Sequence, residues 1–448
     1  MMEASTEVTE EHETPSQGFD AVPPIERMPP ELLHETFSYL TALELERLRS
    51  YDDETRPLPL PCGIILARVC TRWREIVCHD KALWTSIPLY FRPELQWTEK
   101  ALQLSDPLPI DIFVHDVKSW RNVLPALDQL ARARTISLYG IHLTPLSKAD
   151  LPDMLPPDVL SGDAPQLKEL NLTNVVMRAN WTHSFPVLTE FEARNSLLWT
   201  TPKEMHAALS LMPQLRHLSL GQNDCLDFRW FDLPENVLHL EHLSSLSLEG
   251  DADDMADFLS CVSFPSGASL EIIIVNSPPN EKLGFALAAH FAPLSAVPGQ
   301  LPVMHATATD SSLDIHIEYA NLNPAYTFPD YIAIYIEYDD PDMEGYYVCF
   351  MIEHLLPSLP GHGGASALLL SRAEDCGDII AREWLDPFLK LTGVQKLSVA
   401  GRAVYDLADR WSKERCDSRI FYSSPPPFQR CWLSHRDGLW CHRGGAQV

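Results

Sequence analysis

A short sequence motif with apolar residues at its first, fourth and sixth positions recurs along the chain, and this repetition limits the folds that the chain can adopt. The best copies begin at Leu167, Leu188, Leu215, Leu243 and Leu270, so the steps between them are 21, 27, 28 and 27 residues. Those steps fall in the ~20–29-residue period of one class of stacked repeat. Each copy predicts a short strand with its apolar side chains facing inward and a return segment behind it. Because one unit cannot bury its own apolar face, neighbours must stack into a continuous core beside a short-stranded parallel sheet.

The spacing and the L-x-x-L-x-L core are typical of leucine-rich repeats, although the asparagine usual after the strand is missing, which marks the repeats as degenerate. Weaker copies lie at residues 133–138, 312–317, 331–336, 365–370 and 394–399. The step from Leu270 to Ser312 is 42 residues, which predicts an insertion or a broken repeat. The expected fold class is therefore α/β, with a curved solenoid over residues 91–420. An ordinary α/β domain with leucine-rich strands is the alternative.

The N-terminal residues differ from the repeats in composition and in the spacing of their apolar residues. Residues 1–22 contain six acids and no base, and so few apolar residues that we expect a disordered acidic tail. Proline and an acid at Pro29-Pro30-Glu31 favour a helix start. A second helix is predicted from about Ile64 to His79, with Trp73 on its apolar stripe. These helices define a small helical unit over residues 23–90, and residues 421–448 form a C-terminal tail.

Charge and cysteine content exclude several classes of function. The chain has 62 acids against 34 bases, a formal charge of −28, which disfavours binding to nucleic acid or to an anionic membrane surface. The ten cysteines include no Cys-x-x-Cys pair, and the first residues lack the basic and apolar parts of a signal peptide. The longest uncharged run, residues 283–309, is too rich in proline for a membrane helix. We therefore expect a soluble, reduced protein of the cytoplasm or the nucleus.

No enzyme signature is present. No two glycines lie four residues apart, so a Gly-x-Ser-x-Gly elbow cannot occur, and no phosphate loop, dinucleotide turn or His-Glu-x-x-His is found. The loop at residues 361–366 resembles an oxyanion-hole stretch, which leaves a hydrolase using Ser366 or Cys349 as a minor alternative. The residues Cys431, His435, Cys441 and His442 match no usual zinc spacing. We predict no catalytic residue, no metal and no cofactor.

Three segments stand out in the helical unit: Met28-Pro-Pro-Glu-Leu-Leu-His-Glu-Thr-Phe-Ser-Tyr-Leu40, Ala67-Arg-Val-Cys-Thr-Arg-Trp-Arg-Glu-Ile-Val77 and Leu83-Trp84. In this combination and order they resemble an F-box. An F-box followed by ragged leucine-rich repeats is similar to the expanded F-box families of mushroom-forming fungi. The stretch Thr41–Gly63 is longer than the usual connection between the two F-box segments, and we expect it to loop out.

This resemblance implies a non-catalytic substrate receptor of a Skp–cullin–F-box ubiquitin ligase. The F-box would dock on a Skp-type adaptor, and through it on a cullin, while the repeats bind a protein substrate. The candidate adaptor-binding residues are Pro29, Leu32, Leu33, Phe37, Leu66, Val69, Trp73 and Trp84. The candidate substrate-binding residues lie between the inward-facing apolar positions and are Glu169, Glu190, Glu192 and His217. The alternative is a leucine-rich-repeat interaction scaffold without ligase association.

Overall fold

The structure is a computed structural model, and two compact units divide the chain at residues 84 and 85. It describes residues 24–49, 61–90, 95–115, 123–140, 160, 162–175, 184–199, 201–221, 236–275, 277, 279–295, 302–308, 312–319, 329–337, 355, 358–359, 367–372, 396–401, 403 and 430–433. The acidic segment 1–22, predicted to be disordered, lies outside the described residues. So do Cys349, Ser366 and the loop at 361–366.

The first unit is helical. Its helices are α1 (Pro30–Arg49), α2 (Cys62–Ala67) and α3 (Thr71–His79), and a 3₁₀ turn at Lys81–Trp84 closes it. Helix α1 begins at Pro30, as the sequence predicts, and continues to Arg49. The expectation that all of Thr41–Gly63 loops out is wrong, since its first nine residues are helical and its last two begin α2.

The single second helix predicted from Ile64 to His79 is also wrong. The backbone leaves the helical region at Cys70, where φ is −158° and ψ is 171°. The Sγ of Cys70 then caps α3, accepting a hydrogen bond from the Trp73 N–H at 3.5 Å. An apolar stripe with helical spacing runs through this corner unbroken, so periodicity alone could not reveal the turn.

The core of the first unit joins all three helices to the closing turn. Its buried side chains are Leu33, Phe37, Leu66, Val77, Leu83 and Trp84. The Phe37 and Trp73 rings pack with their centroids 4.8 Å apart. The indole N–H of Trp84 donates to the Val77 carbonyl at 2.8 Å, which satisfies the polar atom of a buried aromatic.

The second unit is mixed α/β, as predicted, with a mostly parallel sheet. The strands are β1 (Ser86–Tyr90), β2 (Ile110–His115), β3 (Ala133–Tyr139), β4 (Glu169–Thr173), β5 (Glu190–Arg194), β6 (His217–Gly221), β7 (Leu238–His239), β8 (Ser245–Gly250), β9 (Val262–Ser263), β10 (Ser269–Ile274), β11 (Val303–Ala308), β12 (Ser312–Glu318), β13 (Tyr331–Glu337), β14 (Ala367–Arg372), β15 (Lys396–Gly401) and β16 (Arg430–Leu433). The main sheet has 14 strands in the order β1-β2-β3-β4-β5-β6-β8-β10-β13-β12-β11-β14-β15-β16, and β7 pairs with β9 separately. The sheet thus takes in residues 86–90, assigned to the helical unit from sequence, and a strand within the segment 421–448, assigned to a tail.

The repeated phrases form neighbouring parallel strands whose apolar residues stand in register. Leu170, Phe191, Leu218, Leu246 and Leu270 pair side by side across five strands. All five are buried. The residues that begin the first four copies are also buried, in the turn before each strand: Leu167, Leu188, Leu215 and Leu243. Alternate residues of each strand point to the other side of the sheet, as the pleat requires.

Helices cover the apolar side of this sheet. The helices of the second unit are α4 (Leu95–Ser105), α5 (Leu124–Leu127), α6 (Pro202–Ser210), α7 (Ala252–Cys261) and α8 (Glu281–Ser295). Buried residues of α6, α7 and α8, such as Met205, Met255 and Leu287, belong to the same core as the strand leucines. In the described residues no helix is long and apolar enough to cross a membrane.

The irregularity expected after Leu270 is an antiparallel insertion. Strands β11, β12 and β13 form a meander that returns toward β10, so that β13 pairs parallel with β10 and β12 runs against both its neighbours. The weak copy at 312–317 is therefore a reversed strand and not a repeat in sequence order. The alternation of apolar and polar residues is the same in either strand direction. The sequence pattern therefore could not distinguish a parallel repeat strand from a reversed one.

Candidate functional site

The predicted adaptor-binding residues divide into two groups by exposure. Leu33, Phe37, Leu66 and Trp84 are at most 5% exposed and form the core of the first unit. Leu32 and Val69 are 49% and 55% exposed, Pro29 is exposed, and Trp73 is half-buried against Phe37. Only the second group is available to a partner on this fold.

An apolar stripe runs along the outer side of α1. It consists of Leu32, Tyr39, Leu40 and Leu43, which are 39% to 65% exposed. Their spacing of seven, eight and eleven residues from Leu32 places them on one face of a helix with 3.6 residues per turn. The candidate adaptor-binding residues named from the sequence did not include Tyr39, Leu40 or Leu43; the spacing of these residues from Leu32 was the signal that could have found them.

The corner between α2 and α3 is a further exposed apolar area. Ile65 is 46% exposed and lies four residues before Val69 in the chain. By comparison, the exposed large apolar residues described in the much longer second unit are Trp97, Val187, Val237 and Phe285. A concentration of exposed apolar side chains on a small unit usually marks an interaction site.

Polar contacts hold the framework beneath these apolar residues. The Arg72 guanidinium donates to the Met28 carbonyl, which ties the start of α1 to α3. Both carboxylate oxygens of Glu44 accept the Cys62 N–H, at 3.0 and 2.9 Å. Burial raises the pKa of Glu44 to about 6, although this hydrogen bond opposes the shift.

The predicted substrate-binding residues come together on the open face, the side of the sheet opposite the strand leucines. Glu169, Glu190 and His217 are direct cross-strand neighbours on β4, β5 and β6, and Glu192 lies in the next row beside Asn171. Glu190 and His217 are exposed, while Glu169 and Glu192 are half-buried.

Nearby bases offset much of this negative charge. The Arg194 Nε lies 2.7 Å from a Glu192 carboxylate oxygen. Arg134 is hydrogen-bonded to Asp111, and that bond, together with the nearby charge of Glu169, holds the pKa of the Arg134 guanidinium above its usual value against an opposing effect of burial. This part of the open face is therefore closer to neutral than its glutamates suggest.

The antiparallel insertion brings a second polar group to the open face, which we call the tyrosine–carboxylate cluster: Glu271, Asp314, His316, Tyr331 and Tyr335. Glu271 and His316 flank Ala333 in register, and Asp314 pairs with Tyr335. The His316 and Tyr331 rings meet edge to face, with their centroids 5.3 Å apart.

Electrostatic effects connect the members of this cluster. Burial, and next the charge of Glu271, raises the pKa of both Tyr331 and Tyr335. Burial also raises the pKa of Asp314. The Glu271 carboxylate accepts a hydrogen bond from the Ser247 hydroxyl at 2.8 Å.

The sequence carries a signal for this region that our sequence analysis missed. Between Arg229 and Arg372 the chain has twenty acids and a single base, Lys282. Lys282 lies on α8, where its Nζ is 2.7 Å from an Asp257 carboxylate oxygen of α7. The only base of this long stretch is thus paired on the helical side.

The described residues contain no group of three or more His, Cys, Asp and Glu side chains placed to hold a metal ion. Of the four residues considered as a zinc set, only Cys431 falls within the described ranges, in β16.

No protein-family model matches this chain, and no curated protein matches it significantly.

Proposed function

We propose that this chain is a non-catalytic substrate receptor of a Skp–cullin–F-box ubiquitin ligase. The first unit acts as the F-box and docks on a Skp-type adaptor, which links it to a cullin. The second unit is a degenerate leucine-rich-repeat solenoid that holds a protein substrate. Ubiquitin transfer is then the work of other subunits, and this chain contributes proximity between the target and the transfer machinery. Such a receptor would act in the cytoplasm or the nucleus.

The apolar stripe on α1 is the observation that carries the proposal. Three of its four residues, Leu32, Tyr39 and Leu40, lie in the segment Met28–Leu40 whose sequence resembles an F-box. Leu33 and Phe37 of this helix fill the core of the first unit, whereas the outer row of leucines and tyrosine stays 39% to 65% exposed. An unpartnered row of this kind fits an adaptor that covers it, because burying each large side chain contributes about 1.5–3 kcal/mol.

The second unit supports the substrate-holding part of the proposal. Side-by-side parallel strands with leucines in register are what stacked leucine-rich repeats require. Their open face carries polar and aromatic side chains on a framework of rigid strands, which suits selective binding of a protein segment.

Co-expression with a Skp-type adaptor tests the proposal. We expect the full-length chain to retain the adaptor through affinity purification and size-exclusion chromatography. Leu32→Asp together with Leu43→Asp should weaken adaptor binding by about thirty-fold or more, as for loss of central apolar anchors.

The matched control is Val237→Asp, since Val237 is 47% exposed, close to the 49% of Leu32, and lies in the other unit. This variant should retain the adaptor fully. If the wild-type chain is monodisperse alone and retains no adaptor, the receptor assignment is wrong. The scaffold without ligase association then takes its place.

A further inference from the structure

We infer that the tyrosine–carboxylate cluster binds a lysine or arginine side chain of a basic peptide segment. The inference deepens the proposed function, because it names the class of substrate that the open face selects. It also moves the expected contact from the glutamates of β4 and β5 to the antiparallel insertion.

The geometry of the cluster follows from the register around Ala333. Glu271 stands beside Ala333 on β10, and His316 stands beside it on β12. Tyr331 and Tyr335 are two residues before and after Ala333, so they lie on the same face about 7 Å to either side. The small methyl group at the centre lies beneath the surrounding side chains, which leave Ala333 only 1% exposed, so a partner meets the phenol rings and the carboxylates around it.

Two kinds of attraction for a cation meet at this cluster. Tyr331 and Tyr335 are half-buried on the open face, and a phenol ring attracts an ammonium or guanidinium group to its π-face by about 0.5–2 kcal/mol. The Glu271 and Asp314 carboxylates offer charge-assisted hydrogen bonds to the same group. Glu271 raises the pKa of both tyrosines, which places its charge within electrostatic reach of both rings.

Among the described strands around the cluster, no lysine or arginine balances its negative charge. The five adjacent strands β8, β10, β13, β12 and β11 contain no lysine or arginine. Lys282, the one base in the surrounding sequence, is paired with Asp257. In contrast to the face of β3 to β5, where Arg134 and Arg194 lie beside the acids, the negative potential here is left for a partner to neutralise.

A basic peptide fits this negative potential, whereas an anionic partner is repelled by it. The net charge of −28 repels nucleic acid and anionic lipid. A peptide crossing the strands can place one long basic side chain across the cluster, with its aliphatic stem on the tyrosine rings and its charge at the carboxylates.

The test uses the purified full-length chain without an adaptor. The probe is a fluorescein-labelled ten-residue Gly/Ser peptide with two arginines, compared with the same peptide carrying citrulline, which keeps the shape and removes the charge. We expect the arginine peptide to bind about ten-fold more tightly in fluorescence anisotropy.

Variants locate the site. Glu271→Gln and Tyr335→Leu should each weaken binding of the arginine peptide about five- to ten-fold, whereas Tyr335→Phe should keep it within about two-fold, since the ring remains. Glu241→Gln is the control, since Glu241 is an exposed carboxylate of the second unit outside the cluster, and it should change binding by less than about two-fold. Circular dichroism checks that each variant is folded.

Equal loss of binding in Glu271→Gln and Glu241→Gln would show that the peptide responds only to the overall negative charge of the protein, and it would overturn the inference. So would equal affinity for the arginine and citrulline peptides. Adaptor retention is measured on the wild-type chain as well. A wild-type chain that prefers the arginine peptide but retains no adaptor overturns the receptor assignment alone. A wild-type chain that retains the adaptor but binds the arginine and citrulline peptides equally overturns the cation site alone.

Discussion

Leu32 and Leu33 are adjacent in the sequence, yet their side chains have opposite environments on α1. Leu33 is 1% exposed and packs in the core of the first unit, whereas Leu32 is 49% exposed on the outer stripe. Successive residues of a helix point about 100° apart, so one pair of leucines serves both the interior and the surface. A substitution at Leu33 therefore tests folding, and a substitution at Leu32 tests docking.

Leu33→Ala should destabilise the first unit by about 2–5 kcal/mol, because it removes buried methyl groups and leaves a cavity. Leu32→Ala should change the stability by no more than about 0.5 kcal/mol. Hydrogen exchange of peptides from α1, measured by mass spectrometry, reports the difference. Similar loss of protection in both variants would contradict the exposure of the outer stripe.

Glu44→Gln should stabilise the first unit at neutral pH. Burial raises the pKa of Glu44 from 4.5 to about 6, so the folded state holds the proton more tightly than the unfolded chain does. The stability contributed by this group is therefore present below about pH 4.5 and is lost as the pH rises through about 6. Glutamine keeps an oxygen for the Cys62 N–H without the charge, and we expect a gain of about 1–2 kcal/mol at pH 7.5.

The measurement for Glu44 is hydrogen exchange of residues 30–79 at several pH values, corrected for the intrinsic exchange rate. The wild type should lose protection between pH 4.5 and 6, and the variant should not. A variant with an unchanged pH dependence would show that the Glu44 carboxyl does not control it.

His290 should give the second unit the opposite response. Its ring stacks on Phe264 with a centroid distance of 3.8 Å, and burial lowers its pKa from 6.5 to about 4. The unfolded chain therefore binds the proton more tightly, so the stability contributed by neutral His290 is present above pH 6.5 and is lost as the pH falls toward 4.

His290→Leu should flatten the dependence of unfolding free energy on pH between 4 and 6.5, as followed by urea titration at each pH. The slope that remains is expected from His115, whose pKa burial also lowers to about 4. Identical slopes in the wild type and the variant would exclude His290 as a source of acid sensitivity.

Gly140→Ala should destabilise the second unit by about 2 kcal/mol. A Cβ at residue 140 would overlap the backbone carbonyl oxygen of Asn174, and backbone cannot move aside cheaply. The control is Gly162→Ala, where the nearest atom within reach of a new Cβ is the flexible Leu130 Cδ1 at 3.3 Å. The melting temperatures of the two variants are compared by thermal unfolding. Equal values would contradict the close approach of residue 140 to the Asn174 backbone.

The repeat spacing predicted much of the sheet correctly. In the four phrases that begin at Leu167, Leu188, Leu215 and Leu243 the apolar residues at the first, fourth and sixth positions are buried. The register predicted for the fifth phrase is wrong, because Leu270 pairs with Leu246, a fourth position, and Ile273 is only half-buried. Successive phrases from Leu167 to Leu270 are neighbours in the sheet. The reversal of β12 and the position of β13 beside β10 were not predictable. Strand direction and order depend on the connections, which the alternation of residues does not encode.

The sequence by itself determined which segments bury apolar residues, because periodicity of 3.6 or 2 fixes one face of each helix or strand without reference to the rest of the molecule. It could thus place Glu169, Glu190, Glu192 and His217 on the open face and Leu33 and Phe37 on one side of α1. Tertiary structure alone decided which of the apolar residues at the helix surfaces would stay exposed, and which polar residues from distant segments would meet. Tyr335 and Glu271 are 64 residues apart in the chain, and only the folding of the meander back onto β10 brings their charges and rings together.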